Sequence, residues 1–274
     1  MFAYRVEVME MLVMLGWAGA VVMGITLGLI GGGGSILTVP ILVYMLSVSP
    51  IQATAYSLFV VGLTALIGSA AYMKQRLVDF RTGAVFAVPS FIGVFLMRRY
   101  GVPALPEVIF TYEEFEVGKN LLVMGVFAIV MILASVSMIR EQPQAEQSGE
   151  LSYNYPLIAV EGLLVGGVTG FVGAGGGFLI IPALVVLAKL PMKQAVGTSL
   201  LIIALKSLFG FLGDLGNQEI DWEFLLIFSA LATGGILTGT FLSRYIPGSK
   251  LKPAFGWFVL IMGLFILAKE TVLK

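Results

Sequence analysis

The sequence predicts an all-α polytopic membrane protein that consists of two inverted repeats of about five helical segments each. Three observations lead to this prediction: an apolar composition with few charges, an internal duplication, and loops whose charge reverses between the halves. Of the 274 residues, 58% are hydrophobic and 12% are charged, and the net charge is zero. A soluble domain has about 25% charged residues, so the composition argues against a water-soluble globule.

Ten apolar segments follow one another along the chain, at 11–30, 35–48, 52–73, 83–97, 119–139, 156–172, 177–188, 194–213, 222–243 and 253–268. The second rises only about 21 Å as a helix, against a hydrocarbon core of about 30 Å. We therefore expect a broken or re-entrant helix there. The polar run 140–155 is interpreted as a linker between an N-terminal membrane repeat, 1–139, and a C-terminal one, 156–274.

The duplication is visible in the letters. GLIGGGGSILTVPILV, which starts at Gly28, aligns with GFVGAGGGFLIIPALV, which starts at Gly170, 142 residues later. From Gly28 to Tyr72 the ungapped alignment is identical at 15 of 45 positions. Similarity at one fixed offset indicates two copies of one structural unit.

Matching loops carry opposite charge. The loop at 74–81 contains three basic residues, whereas its counterpart at 214–221 contains three acidic ones: Asp214, Glu219 and Asp221. The positive-inside rule then predicts that the two loops lie on opposite sides of the membrane, which makes the repeats inverted. We expect the basic loops in the cytoplasm and both termini outside if all ten segments cross; re-entrant segments would change this count. Asp79 and Asp221 are expected to cap the helices that follow them.

Two glycine runs interrupt the apolar sequence, the first at residues 31–34 and the second at residues 173–177, with Ala174 between. Non-helical backbone is tolerated at membrane depth only where protein buries it or where it lines a wet cavity. A helix that starts after such a run presents free N–H groups to an anion, and transporters with inverted repeats bind substrate near the midplane. Ser35 is placed to be the N-cap of the first such helix. The backbone residues predicted to bind an anion are Gly31, Gly32, Gly33, Gly34, Gly173, Gly175, Gly176 and Gly177.

The alternative for the glycines is close helix packing alone. Polar side chains in the next helices are predicted to complete the site: Ser35, Gln52, Ser57, Gln194, Thr198, Ser199 and Lys206. Lys206 lies seven residues after Ser199 and so shares its helix face. A cation inside a span indicates function, unless its long side chain reaches the outer interface. For each hydroxyl, ordinary hydrogen bonding between helices is the other reading.

The absent residue types exclude several functions. The chain has no histidine and no cysteine. These are the commonest general base near neutral pH, the commonest metal ligand and the commonest thiol nucleophile. We therefore predict no enzymatic activity, no catalytic residue, no metal site and no cofactor. Zero net charge without a basic face also argues against nucleic acid as a partner.

The paired glycine runs, each followed by a proline, together with QATAYSLFVVGLTALIG from Gln52 and QAVGTSLLIIALKSLFGFLGD from Gln194, resemble the sulfite exporter TauE/SafE family of membrane permeases. The resemblance covers about residues 16–268. It implies a multi-pass carrier in the bacterial inner membrane for sulfur-containing anions such as sulfite and organosulfonates. The family pattern often has asparagine where this chain has Lys206.

The predicted function is export of a small sulfur-containing anion across the lipid bilayer by alternating access. An anion channel of the same fold is the first alternative. A membrane assembly factor for sulfur metabolism is the second, although the short loops leave little surface for a soluble partner. The sequence leaves substrate identity, coupling ion and a homo-oligomeric state open.

Overall fold

A computed structural model describes residues 2–112, 115–140, 155–173, 175–186, 188, 190–243, 245 and 248–271. The predicted linker at 140–155 lies outside these ranges except at its two end residues, so the division into two repeats at this linker stays a prediction.

The described chain is nearly all helical. In chain order its elements are α1 (Phe2–Ile30), a 3₁₀ helix (Gly32–Leu37), α2 (Thr38–Pro40), a π-helical turn (Ile41–Met45), α3 (Pro50–Lys74), α4 (Phe80–Leu96), a second π-helical turn (Met97–Gly101), β1 (Val108–Tyr112), β2 (Phe115–Gly118), α5 (Lys119–Ile139), α6 (Tyr155–Val172), α7 (Gly177–Val186), α8 (Met192–Asp214), α9 (Trp222–Leu242) and α10 (Gly248–Thr271). The predicted apolar segments agree with these helices; segment 222–243, for example, is α9.

Six helices within the described ranges are long and apolar enough to cross a membrane. They comprise Glu10–Ile30, Pro50–Lys74, Phe80–Gly101, Lys119–Val136, Lys193–Asp214 and Trp222–Leu242. Shorter apolar helices cover Gly34–Met45 and Pro156–Val172. The chain is therefore a polytopic membrane protein by helix length and composition.

One short element of the described chain is not helical. Strands β1 and β2 form an antiparallel hairpin between the predicted apolar segments 83–97 and 119–139. Sequence VIFTY and the later FEVG are rich in β-branched and aromatic residues, which favour paired strands. The hairpin lies outside the apolar segments, so it leaves the membrane-spanning part helical.

The two predicted helix caps are confirmed. Asp79 Oδ1 accepts hydrogen bonds from the backbone N–H groups of Arg81 and Thr82 at 3.0 and 3.1 Å. Asp221 Oδ1 accepts one from the Phe224 N–H at 3.0 Å. Each carboxylate satisfies donors that the first turn of a helix leaves free.

Helices α3 and α8 form the centre of the bundle and are the most buried of the six spans. They run antiparallel, because Gly62 packs on Leu208 whereas the later Gly68 packs on the earlier Leu200. At one end of this pair the Asp221 N–H donates to Tyr56 Oη at 2.7 Å. Around the pair, α1 packs on α9, α4 on α6 and α5 on α10. Polar residues of α3 and α8 are thus enclosed by apolar helices.

Candidate functional site

The first glycine run ends α1. Gly31 has φ 74°, a left-handed conformation that favours glycine, and the 3₁₀ helix starts at the next residue. The prediction that Ser35 is an N-cap is wrong. Ser35 lies inside the 3₁₀ helix, which begins three residues earlier than expected, and its Oγ donates back to the Gly32 carbonyl at 2.7 Å. Gly33 lies in the same 3₁₀ helix.

The second glycine run separates α6 from α7. Gly173, Gly175 and Gly176 have φ values of 74°, 63° and 72°. Residues with a side chain rarely adopt this backbone conformation, so glycine at these positions is explained by the course of the backbone. The Gly173 N–H still donates to the Thr169 carbonyl at 2.8 Å, which closes the last turn of α6.

The two glycine runs touch each other inside the bundle. A Cβ atom on Gly32 would overlap the Cα of Gly177, and a Cβ on Gly177 would overlap Gly32. Ser35 Oγ lies 3.2 Å from the position that a Cβ on Gly175 would take. Gly34, in contrast, faces the backbone of Leu27 in α1. Close backbone contact therefore accounts for part of the glycine content.

Lys206 lies beside the second run and does not reach an interface. Its side chain is buried, and Nζ donates to Thr169 Oγ1 at 2.7 Å. Nζ is also 2.7 Å from the position that a Cβ on Gly176 would take. The burial rules out the alternative in which the ammonium reaches the outer interface. Among the residues that the structure describes, no carboxylate forms an ion pair with Lys206.

The predicted hydroxyl groups differ in what they bind. Ser57 Oγ is buried, and the described residues offer it no hydrogen-bond partner; the same holds for Thr64 Oγ1, seven residues later on α3. Ser199 Oγ donates to the Val196 carbonyl at 2.8 Å and lies 3.5 Å from the Cβ position of Gly31. Thr198 Oγ1 accepts from the Asp79 N–H at 2.9 Å, so it fixes the loop before α4.

The two predicted glutamines lie at helix starts. Gln52 Nε2 donates to Tyr56 Oη at 3.0 Å and to the Glu219 carbonyl at 3.2 Å, so its amide binds the loop between α8 and α9 instead of a glycine run. Gln194 is half-buried near the start of α8. The structure thus brings together a smaller set of the predicted residues: Gly31, Gly32, Ser35, Gly175, Gly176, Gly177, Ser199 and Lys206.

The comparison with protein families agrees with this architecture. The model of the sulfite exporter TauE/SafE family matches residues 16–266. The chain belongs to the sulfite exporter TauE/SafE family. The resemblance stated from the glycine runs and their flanking helices is therefore confirmed, and with six apolar helices this family member is a multi-pass protein of the bacterial inner membrane.

Relatives of this TauE/SafE protein match most of its length. A probable membrane transporter protein from Xylella fastidiosa strain 9a5c is 30% identical over 268 residues, which cover 95% of this chain and 96% of the relative. The probable membrane transporter protein YunE of Bacillus subtilis is 29% identical over 231 residues, covering 75% of this chain and 81% of the relative. No solved structure matches the chain significantly.

Sequence reasoning missed a buried ion pair in this TauE/SafE protein. Asp214, predicted to lie in an exposed loop, is the last residue of α8 and is 2% exposed. Its Oδ2 accepts from Arg98 Nε at 2.7 Å, and Arg98 Nη1 donates to Thr54 Oγ1 at 3.0 Å. Thr54 in turn contacts Gly173. The signal was present, since these opposite charges follow two apolar segments whose ends were predicted to face the same side.

The chemistry of the site suits an anion. Buried charge is costly unless it is paired, and among the described residues the Lys206 ammonium binds the neutral Thr169 hydroxyl and no carboxylate. Hydroxyl and backbone N–H donors add hydrogen bonds without adding charge. Within the described ranges, no group of three acidic, histidine or cysteine side chains has the arrangement of a metal site.

Proposed function

We propose that this protein exports small sulfur-containing anions, such as sulfite or organosulfonates, from the cytoplasm by alternating access. The observation that carries the proposal is the position of Lys206. This buried cation has no carboxylate partner among the described residues, and it lies beside Gly176, next to the contact between the two glycine runs. The family to which the chain belongs supports the class of substrate.

Inverted repeats would supply the two alternating states. Glycine contacts support the inverted repeats, because each of four contacts has a counterpart. Adding 142 to the number of the glycine and subtracting 142 from the number of its partner gives a second contact that is also present. The pairs are Gly24 on Ala232 with Gly166 on Ser90, Gly28 on Ile236 with Gly170 on Val94, Gly68 on Leu200 with Gly210 on Leu58, and Gly31 on Val196 with Gly173 on Thr54. Such reciprocal contacts are typical of a two-fold relation, and the antiparallel course of α3 and α8 fits an axis in the membrane plane.

In this proposal each group has one role. Lys206 supplies the fixed charge that attracts the anion, and Thr169 holds its ammonium while the site is empty. The amides of the glycine runs and the Ser57 hydroxyl donate hydrogen bonds that orient the oxygens, and Ser199 does so once its hydroxyl turns away from the Val196 carbonyl. The anion is bound by the charge of Lys206 and released when one repeat moves against the other.

The membrane potential favours the proposed direction. With the inside negative, moving one elementary charge changes the free energy by about 2.3 kcal/mol per 100 mV, and a divalent anion gains about twice that. An anion therefore leaves the cytoplasm without a further energy source. This is a transport function without bond making or breaking, so we do not propose an enzyme.

Flux measurements test the proposal. Purified protein in liposomes should take up radiolabelled sulfite with saturation, and unlabelled sulfate, thiosulfate and taurine should rank the competing substrates. Lys206→Met should remove most of this uptake. Uptake no faster than that of protein-free vesicles would contradict the transport function. Non-saturating uptake with unitary currents would instead establish the channel and overturn the carrier.

A further inference from the structure

We propose that Arg98 forms a second oxyanion-binding subsite, between the second glycine run and the end of the bundle formed by the loop 214–221. This inference rests on the proposed function and extends it. It assigns two successive binding positions to the anion, Lys206 first and Arg98 second, on the way to the side of the membrane where α8 ends.

One N–H group of the Arg98 guanidinium lacks a hydrogen-bond partner among the described residues. Arg98 is fully buried, with 0% exposure of its side chain. Its Nε is bound to Asp214 and its Nη1 to Thr54, but Nη2 finds no hydrogen-bond partner among the described residues. A guanidinium has five N–H donors, and buried donors are nearly always satisfied. A carboxylate that binds the guanidinium side-on would accept from both Nε and Nη2. Asp214 accepts from Nε alone, so the Nη2 group stays open for an oxygen of a ligand.

A chain of contacts connects Arg98 with the Lys206 site. Lys206 Nζ binds Thr169 Oγ1, and the Thr169 carbonyl accepts from the Gly173 N–H. Gly173 contacts Thr54, whose Oγ1 accepts from Arg98. The two buried cations therefore adjoin the same short glycine run, Lys206 at Gly176 and Arg98 through Thr54 at Gly173. An anion that leaves the first meets the second within the same stretch of backbone.

Asp214 pairs with Arg98 and so weakens the attraction of this site for an anion. An isolated guanidinium in the bundle would hold an anion too tightly for transport, because conduction needs sites that bind weakly enough to release. Asp214 lowers the attraction by neutralising the guanidinium, so binding at Arg98 is weaker than at Lys206. The positions 142 residues away from Asp214 and Arg98 are Tyr72 and Thr240, so the internal duplication does not repeat this ion pair.

Binding stoichiometry tests the subsite. Equilibrium dialysis of the purified full chain with radiolabelled sulfite should give two sites, one tight and one weak. Lys206→Met should leave only the weak site. The double variant Arg98→Met/Asp214→Leu should leave only the tight site and slow liposome uptake about tenfold or more, as expected when a charged donor is lost. Replacing both members of a buried ion pair by apolar residues is often neutral for folding, so the double variant should remain folded.

Two further variants keep the test sharp. Arg99→Met is the matched control, because it removes the neighbouring exposed arginine, and it should change neither binding nor uptake. Asp214→Asn should tighten the weak site about tenfold, since it leaves the guanidinium charge uncompensated, whereas a purely structural ion pair predicts no tighter binding. If the double variant does not fold, this single variant decides.

The outcomes separate the two proposals. Two sites in the wild type, with one lost in each variant, support both. Unchanged stoichiometry, affinity and uptake in Arg98→Met/Asp214→Leu, with binding lost in Lys206→Met, overturn the subsite and leave the transport function intact. No sulfite binding and no uptake by the wild type overturn the function and the subsite together.

Discussion

The two glycine runs have similar backbones but different electrostatic surroundings. Each follows a helix, α1 or α6, with a glycine at φ 74° and leads into a short helix. Yet the residues around the second run are charged or polar, whereas the residues 142 positions away from them are neutral or apolar: Thr169 against Leu27, Lys206 against Thr64, Arg98 against Thr240 and Asp214 against Tyr72. A shared backbone therefore does not imply a shared binding role, and the buried charges of the proposed site surround the second run.

The largest effect is expected from a substitution that disrupts the contact between the two glycine runs. Gly32→Val would place its side chain against the Gly177 backbone, which cannot move aside. We expect loss of uptake and a folding stability lowered by about 1–3 kcal/mol or more, as overpacking produces. Thermal unfolding in detergent and liposome uptake measure both.

Gly167→Ala is the control for this change, because a Cβ there meets no atom within 4 Å. It should keep uptake and melting temperature. If Gly32→Val also kept both, the contact between the runs would not matter and the comparison would lose its structural basis.

The next effect tests the charge difference. Lys206→Met should weaken sulfite binding about a hundredfold, while the protein remains folded because a buried charge with no carboxylate partner is costly to folding. Thr64→Val, at the matching position of the first half, should weaken binding less than about threefold. Equilibrium dialysis of both variants measures the two sulfite affinities. Equal losses of affinity would show that the two runs do not differ in their electrostatic role.

Much of this architecture could be predicted from the letters. The helices follow from apolar length, so α3 and α8 were expected to within about two residues, and the caps at Asp79 and Asp221 follow from local donors. Lys206 was found because a cation in an apolar run is unusual. These features depend on residues that are near one another in the sequence.

Other features depend on contacts across the bundle and could not be predicted with the same reasoning. The Arg98–Asp214 pair joins helices 116 residues apart in sequence, and the segment boundaries placed both residues just outside the membrane. Ser35 was expected to cap a helix, but the first turn is a 3₁₀ helix, in which the hydroxyl reaches back to Gly32. The hairpin of Val108–Tyr112 and Phe115–Gly118 was not predicted, because the search for apolar segments long enough to span a membrane does not detect short strands between them.

A smaller effect concerns the partner of the lysine. Thr169→Val removes the acceptor of the Lys206 ammonium, so the empty site should be less stable by about 1–3 kcal/mol, the cost of a buried donor left unsatisfied. Thermal unfolding without sulfite measures it. Thr169→Ser keeps the hydroxyl and should behave as the wild type; an equal loss in both would point to packing of the threonine methyl group.

The smallest effects compare the two caps. Asp79→Ala and Asp221→Ala should each lower folding stability by about 1 kcal/mol, since each removes side-chain hydrogen bonds to a first helical turn. Neither should alter the affinity for sulfite, because both carboxylates bind backbone at the bundle ends. A cap variant that changed affinity while its stability remained normal would extend the site beyond the glycine runs.

Direct localisation of a bound anion tests the central claim, that an anion binds within the bundle at Lys206. Selenite is the selenium analogue of sulfite, and its anomalous scattering marks its position in crystals of the protein. We expect a selenium peak beside the glycine runs, with an oxygen about 2.7–2.9 Å from Lys206 Nζ. Selenium found only on the protein surface, with Lys206 still bound to Thr169 alone in a protein that transports sulfite, would contradict it.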